Sequence, residues 1–146
     1  MKKIYVIFCI IFVTIFLTNC KQISNQVLID NGKNLIKINV EIADDNKGRM
    51  YGLMFRGNLD ENSGMLFVFD DEDNQTFWMK NTLIPLDIIF ISKDMKIVDI
   101  KSATPCKEDP CSLYMSSKPA KYVLEVNGNF TIKNNIKIDD KIILNQ

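Results

Sequence analysis

Residues 36–42, with the sequence IKINVEI, decide the fold class of this chain. Ile36, Ile38, Val40 and Ile42 occupy every second position, and polar or charged residues stand between them. Successive side chains of a strand point to opposite faces, so this period of two places the four apolar side chains on one face. The stretch therefore predicts a half-buried β-strand.

Similar patterns recur through the rest of the chain. Short runs rich in β-branched and aromatic residues predict six further strands, at 65–69, 76–79, 86–91, 96–100, 122–126 and 141–144. Asp44 and Asp45 can cap one short helix between Met50 and Gly57. We therefore expect a mainly β fold: a compact antiparallel barrel-like domain of about seven short strands with one short helix, covering residues 35–146.

The N-terminus predicts export. Lys2 and Lys3 precede a largely apolar run from Ile4 to Leu17, which is shorter than the ~20 residues of a spanning helix. Signal cleavage usually follows small residues arranged like A-x-A, but the first alanine of the chain is Ala43. Residues 1–19 are therefore predicted to be a signal peptide that is processed by another route. An uncleaved signal anchor is the alternative.

The end of the apolar run indicates that route. Leu17-Thr18-Asn19-Cys20 resembles the bacterial lipoprotein box, in which the cysteine becomes the acylated N-terminus. The resemblance implies a lipoprotein signal peptide at 1–19, lipid on Cys20, and a lipidated N-terminus and tether at 20–34. Stable anchoring takes more than one acyl chain. We expect a domain held on the extracytoplasmic side of a bacterial cell envelope, with the membrane as its partner.

The predicted export also decides which cysteines can form a disulfide. Cys9 lies in the predicted signal and Cys20 at the lipidation site, which leaves Cys106 and Cys111 in an oxidising compartment. A disulfide between them is expected. The alternative is a redox or metal-binding pair.

Composition excludes several functions. Histidine, the commonest general base and metal ligand, is absent, and we expect neither a metal nor a cofactor. Of 18 basic residues, removal of Lys2 and Lys3 leaves 16 against 18 acidic ones, so no nucleic-acid partner is expected. A hydrophobic content of 47% with 25% charge is ordinary for a globular domain.

Five ordered blocks resemble the family known as domain of unknown function 192. They are GLMFR at 52–56, GMLF at 64–67, WMKNT at 78–82, PLD at 85–87 and YVLEV at 122–126. The resemblance covers nearly all of the predicted mature chain. It implies a compact β-rich domain with one short helix, frequently exported, for which no reaction is established.

These blocks contain the candidate functional residues. Arg56 and Asp87 are charged residues in otherwise apolar or small-residue surroundings. They are expected either to pair with each other or to line a pocket in which Arg56 binds an anion. Glu125, between two apolar neighbours, is expected to face solvent or a barrel lumen. Trp78 is expected either in the core or as an aromatic platform. The complete candidate pocket comprises Arg56, Met65, Trp78, Met79, Asn81, Thr82, Asp87 and Glu125.

The preferred functional hypothesis is a membrane-anchored lipoprotein that binds a small ligand, or serves as an accessory module, through a pocket near Arg56, Trp78, Asn81 and Asp87. A hydrolase is the first alternative, with Asp87 or Glu125 as general base and Arg56 stabilising negative charge. A structural or protein-interaction module is the second. Copper(I) held by methionine thioethers at positions 50, 54, 65 and 79 is a further possibility.

Overall fold

The computed structural model of the protein describes residues 25–145. The predicted signal peptide and Cys20 lie outside these residues. Within them the chain forms nine strands and two short helices, in the order β1 (Gln26–Asp30), β2 (Leu35–Ala43), α1 (Asn46–Tyr51), β3 (Ser63–Asp73), β4 (Thr76–Trp78), β5 (Leu86–Ile91), β6 (Ile97–Ala103), β7 (Leu113–Met115), β8 (Ala120–Asn127), α2 (Phe130–Lys133) and β9 (Lys141–Asn145). No helix of this part of the chain is long and apolar enough to span a membrane.

Seven of the strands form one sheet, in the order β6-β5-β8-β3-β2-β1-β9, while β4 and β7 form a separate pair. The seven-stranded sheet curls into a half-barrel. Its two end strands come together where Lys96 bridges to Lys141 and where the Ile97 N–H donates to the Asp140 carbonyl at 3.0 Å. The predicted mainly β, barrel-like class is confirmed. One pair, β2 with β3, is parallel, whereas the other strand pairs described are antiparallel.

The predicted short helix forms, but it begins earlier than expected. The Asp45 side chain accepts a hydrogen bond from the Gly48 N–H at 2.6 Å and so caps α1. The helix ends at Gly52, whose φ of 49° is a conformation that glycine adopts readily. The segment between α1 and β3 completes the crossover that the parallel pair requires.

The N-terminal boundary of the domain needs correction. Gln26–Asp30, predicted as part of the tether, is β1, which pairs with β2 on one side and β9 on the other. Val27 and Ile29 are fully buried. The β-rich domain therefore begins before residue 35. Only the three apolar residues 27–29 mark this strand in the sequence, and the polar residues around them are typical of a linker.

Two further segments are placed by tertiary contacts. The acidic stretch 70–73 belongs to β3, which pairs with β8 again at Asp73 after a shift in register. Asn127 and Gly128, which have the composition of a turn, lead into α2. The sheet partner in the first case and the packing of Phe130 in the second are tertiary contacts that local sequence does not encode.

Each face of the sheet carries its own apolar core. The first core joins residues from both ends of the sheet, such as Ile97 and Ile142, and therefore fills the concave side. The second contains Met65, Phe67 and Val123, on the opposite face of the same strands. The segment after α1 and the separate β4–β7 pair cover this second face. Side chains that alternate with the concave core consequently lie beneath that cover.

Candidate functional site

Glu125 lies in the middle of β8, between two residues of the concave core, and so points to the covered outer face. On that face its register neighbours are Met65 of β3 and Ile88 of β5. The residue is only 4% exposed. Its position corrects the expectation that it would face either solvent or a barrel lumen, because the segment after α1 and the β4–β7 pair cover this face.

The carboxyl group of Glu125 has no hydrogen-bond partner among the described residues. Burial alone raises the pKa of this carboxyl to about 8, since removal from water disfavours the charged form. Every polar side-chain atom that is sealed from solvent in the described part of the chain has a partner. The unpartnered carboxyl must therefore border open space.

That space is a small pocket with Glu125 on its floor. Its volume is about 30 Å³, enough for one or two groups of the size of a water molecule. The walls come from α1 and the turn after it, from β4, and from the loop that precedes β5. The lining residues are Arg49, Met50, Tyr51, Gly52, Leu53, Met54, Phe67, Phe77, Trp78, Thr82 and Glu125.

The rim of the pocket is aromatic and apolar. Trp78 and Tyr51 are 47% and 57% exposed, and Met50 is 71% exposed. Phe77 is held edge-on against Phe67, with ring centroids 5.0 Å apart. Trp78 thus belongs to the rim and not to the core. The pocket combines apolar walls with a few polar groups, as is typical of small-molecule sites.

Arg49 lines the pocket, but its guanidinium group is already occupied. It donates to the backbone carbonyls of Asp44 and Val68 at 2.6 and 2.7 Å, and to the Asn46 side-chain oxygen at 2.8 Å. The group also lies over the Phe69 ring, 5.7 Å from its centroid. Arg49 therefore fixes α1 against β3. Sequence analysis missed it, although it and Arg56 are the only two arginines of the chain.

Arg56 does not take part in this pocket. Its guanidinium group makes a bidentate ion pair with Glu41, at 2.5 and 2.6 Å, and lowers the pKa of that carboxyl. The side chains are 35% and 56% exposed, so this is a surface pair. The predicted pairing of Arg56 with Asp87 is wrong. Glu41 stands 15 residues earlier and reaches Arg56 because β2 runs beside the crossover segment.

Asp87 is a fully buried structural anchor on the concave side of the sheet. Its carboxylate accepts hydrogen bonds from the Thr131 N–H at 2.9 Å and the Thr131 hydroxyl at 2.6 Å. The Asn129 N–H and the Ser102 hydroxyl each donate to it at 3.2 Å. Four donors satisfy the buried charge and fix α2 against β5. Asp87 therefore lies apart from the Glu125 pocket.

The remaining candidates divide between core, loop and pocket. Met65 and Met79 are core residues, 7% and 1% exposed. Asn81 has a φ of 57°, and its carbonyl accepts from the Phe55 N–H at 2.8 Å, so it shapes the loop. Thr82 is 7% exposed and lines the pocket. Trp78, Thr82 and Glu125 thus line one pocket, Met65 lies in the core beside Glu125, and the other predicted residues lie elsewhere.

The predicted disulfide between Cys106 and Cys111 is present, with the sulfur atoms 2.09 Å apart. Asp109 is close enough to form a potential metal-ligand cluster with these two sulfurs, but in the disulfide neither sulfur is a free thiolate. A cleft of about 490 Å³ lies beside this loop. Its charged side chains, Lys107 and Glu108, are exposed. Nothing in the cleft therefore favours one ligand chemistry.

These features define a curled β half-barrel whose outer face carries a small pocket with an acid on its floor. The family model of domain of unknown function 192, described as "Uncharacterized ACR, COG1430", matches residues 27–144. The chain belongs to this family. No curated protein matches the chain significantly.

Two solved structures share the fold. One, described as a putative transcription regulator from Sinorhizobium meliloti 1021, is 32% identical, with a TM-score of 0.77 over 83% of this chain and 93% of that one. The other, a protein of unknown function from Novosphingobium aromaticivorans DSM 12444, is 34% identical, with a TM-score of 0.76 over 81% of this chain and 83% of that one.

Proposed function

We propose that this protein is an extracytoplasmic lipoprotein whose domain binds a small molecule in the Glu125 pocket. One observation carries the proposal: a buried carboxyl group without a hydrogen-bond partner borders open space. A hydrogen bond to a protein group contributes a net of about 0.5–1.5 kcal/mol. A ligand that hydrogen-bonds to the carboxyl would gain this free energy, so the pocket is suited to a polar group.

The aromatic rim supports the same proposal. A ligand whose polar end reaches Glu125 and Thr82 would lay its apolar part against Trp78 and Met50. Partly exposed aromatic rings give large contact areas at small entropic cost, because few side-chain torsions need to be fixed. Of the predicted pocket residues, the proposal uses Trp78, Thr82 and Glu125, and Glu125 is its directing polar group.

The geometry favours binding over hydrolysis. Asp87 already accepts four hydrogen bonds away from the pocket, and Arg56 is held by Glu41. With a pKa of about 8, Glu125 is mostly protonated at neutral pH and makes a poor general base in the free protein. The groups that a hydrolase would use are therefore not assembled in one place.

The proposed location at the membrane is supported by the N-terminal sequence. Lys2, Lys3 and the apolar run to Leu17 favour export, and Cys20 stands where the lipoprotein box has its acylated residue. The disulfide agrees with an oxidising compartment. Since β1 begins at Gln26, six residue steps from Cys20 span at most about 20 Å, which would hold the domain close to the bilayer surface.

Lipidation is tested by metabolic labelling with a radioactive fatty acid, in cells producing the wild type or Cys20→Ser. We expect label in the membrane-associated wild type and none in the variant. Unlabelled wild-type protein in the cytosolic fraction would contradict the proposal.

Ligand binding is tested by thermal unfolding of the purified protein against a set of small envelope metabolites. A ligand that binds the folded state raises the unfolding temperature by mass action. The gain should disappear in Glu125→Gln and Trp78→Ala and persist in Arg56→Ala, which alters a charge outside the pocket. A gain lost in Arg56→Ala but kept in Glu125→Gln would place the site elsewhere.

A further inference from the structure

We propose that the ligand of the Glu125 pocket carries a primary ammonium group, which enters the pocket and forms an ion pair with the Glu125 carboxylate. This inference rests on the proposed binding function and specifies the chemical class of the ligand. It is carried by the charges around the pocket, the shape of the pocket and the aromatic rings at its rim.

The first argument concerns charge. Glu125 and Arg49 are the two charged residues that line the pocket. The Arg49 guanidinium already donates to two backbone carbonyls and an amide oxygen and lies over an aromatic ring. Desolvation is the sole cause of the raised Glu125 pKa. No cation of the described residues is therefore paired with this carboxyl. A cationic group is therefore the partner that would stabilise the ionised form of this carboxyl. An anionic ligand would meet no free positive donor on the floor.

The neighbours of Glu125 on every side agree with this assignment. β3 and β5 present Met65 and Ile88, which are uncharged. Thr82, from the loop before β5, and Tyr51, the last residue of α1, also line the pocket and each carries a hydroxyl group. An ammonium group has three N–H donors. Two of them can be directed to the carboxylate, and the hydroxyl groups of Thr82 and Tyr51 are acceptors available for the third.

The second argument concerns the rim. Tyr51, Phe77 and Trp78 all line the pocket with aromatic rings. The face of such a ring attracts a cation, by about 0.5–2 kcal/mol depending on desolvation. Trp78 already shows this behaviour, because the Lys80 ammonium lies 5.6 Å from its ring centroid. The pocket, with a volume of about 30 Å³, admits a group of the size of a primary ammonium.

Ligand binding is coupled to proton release, because the Glu125 carboxyl exchanges its proton for the ammonium group. In the free protein at neutral pH the Glu125 carboxyl holds a proton, whereas the ammonium complex requires the carboxylate. Binding of R–NH₃⁺ therefore releases that proton to solvent, and the charges balance because one cation replaces another. Affinity should rise with pH until the free carboxyl ionises, while an alkylamine with a pKa near that of lysine, about 10.4, keeps its charge.

The test uses the fluorescence of Trp78, the only tryptophan of the chain, and three probes of similar length: n-butylammonium, n-butanol and butyrate. Each is titrated into the purified full chain at constant ionic strength, at pH 6 and pH 8. We expect n-butylammonium to bind at least tenfold more tightly than the other two at pH 8. Its affinity should rise on the order of 50-fold from pH 6 to pH 8, given a free pKa of about 8.

Two variants complete the experiment. Glu125→Gln should lose the preference for n-butylammonium and the dependence on pH, whereas Glu108→Gln, which changes an exposed carboxylate, should keep both. Should Glu125→Gln fail to fold, the pH dependence of the wild type still decides. Preferential binding of butyrate or n-butanol would overturn the ammonium assignment and leave the binding function standing. No fluorescence change with any probe would overturn both.

Discussion

Replacing Glu125 with glutamine removes a titratable group from beneath the β4 cover while keeping the shape of the side chain. In the wild type this carboxyl is buried, lacks a hydrogen-bond partner, and has its pKa raised from 4.5 to about 8 by desolvation. Glutamine is neutral at every pH. We therefore expect the variant to be about as stable as the wild type at pH 5 and clearly more stable at pH 8.

The size of the effect follows from the two pKa values. Between about pH 4.5 and pH 8 the folded state keeps a proton that the unfolded chain has released, so raising the pH favours unfolding of the wild type. Each pKa unit corresponds to about 1.4 kcal/mol. From pH 5 to pH 8 the wild type should lose on the order of 3–4 kcal/mol of unfolding free energy relative to Glu125→Gln.

Urea denaturation of both proteins at pH 5 and pH 8, followed by circular dichroism, measures this difference. The other titrating groups are common to both proteins and cancel in the comparison. Glu108→Gln serves as the control, since it makes the same chemical change at an exposed residue outside the pocket. An equal stability difference between wild type and Glu125→Gln at pH 5 and pH 8 would refute a buried, protonated Glu125.

Three further predictions concern stability in urea. Gly64→Ala should destabilise the fold by about 2 kcal/mol or more, because the added Cβ would lie 2.5 Å from a β8 carbonyl oxygen. Gly57→Ala is the control and should be close to neutral, because nothing lies within 4 Å of its added Cβ. Equal effects of the two substitutions would contradict the close approach at Gly64. Thr131→Val should cost about 2–3 kcal/mol by removing the hydroxyl that donates at 2.6 Å to a buried carboxylate, and an unchanged midpoint would mean that this carboxylate is not anchored there. Reducing the Cys106–Cys111 disulfide should lower the free energy of unfolding by about 2 kcal/mol and leave the β-sheet signal intact, since the bond closes a short loop. Global unfolding on reduction would show that the bond stabilises more than this loop.

Local pattern was sufficient for much of the fold. Alternation over residues 36–42 produces β2, the Asp45 side chain caps α1, and the apolar runs at 86–91 and 96–100 form the β5–β6 hairpin. These features depend on interactions between residues that are near in sequence or on a side-chain period that one element imposes. Such interactions can be read from the chain without knowing its tertiary structure.

The assembly of the site depends on contacts that are distant in sequence. Glu125 stands between apolar neighbours in the sequence. Only the cover from the segment after α1 and the β4–β7 pair makes it the floor of a pocket and not an exposed or lumen-facing residue. Arg56 pairs with a glutamate on β2, and Asp87 is satisfied by Thr131, 44 residues away. Charged side chains take whichever partner the packing brings within reach.

The sequence by itself therefore determined the β class, the family blocks and the disulfide. The tertiary structure decided which charges are paired and which one is left open, because desolvation and hydrogen bonding depend on what packs against a group and not on its neighbours along the chain.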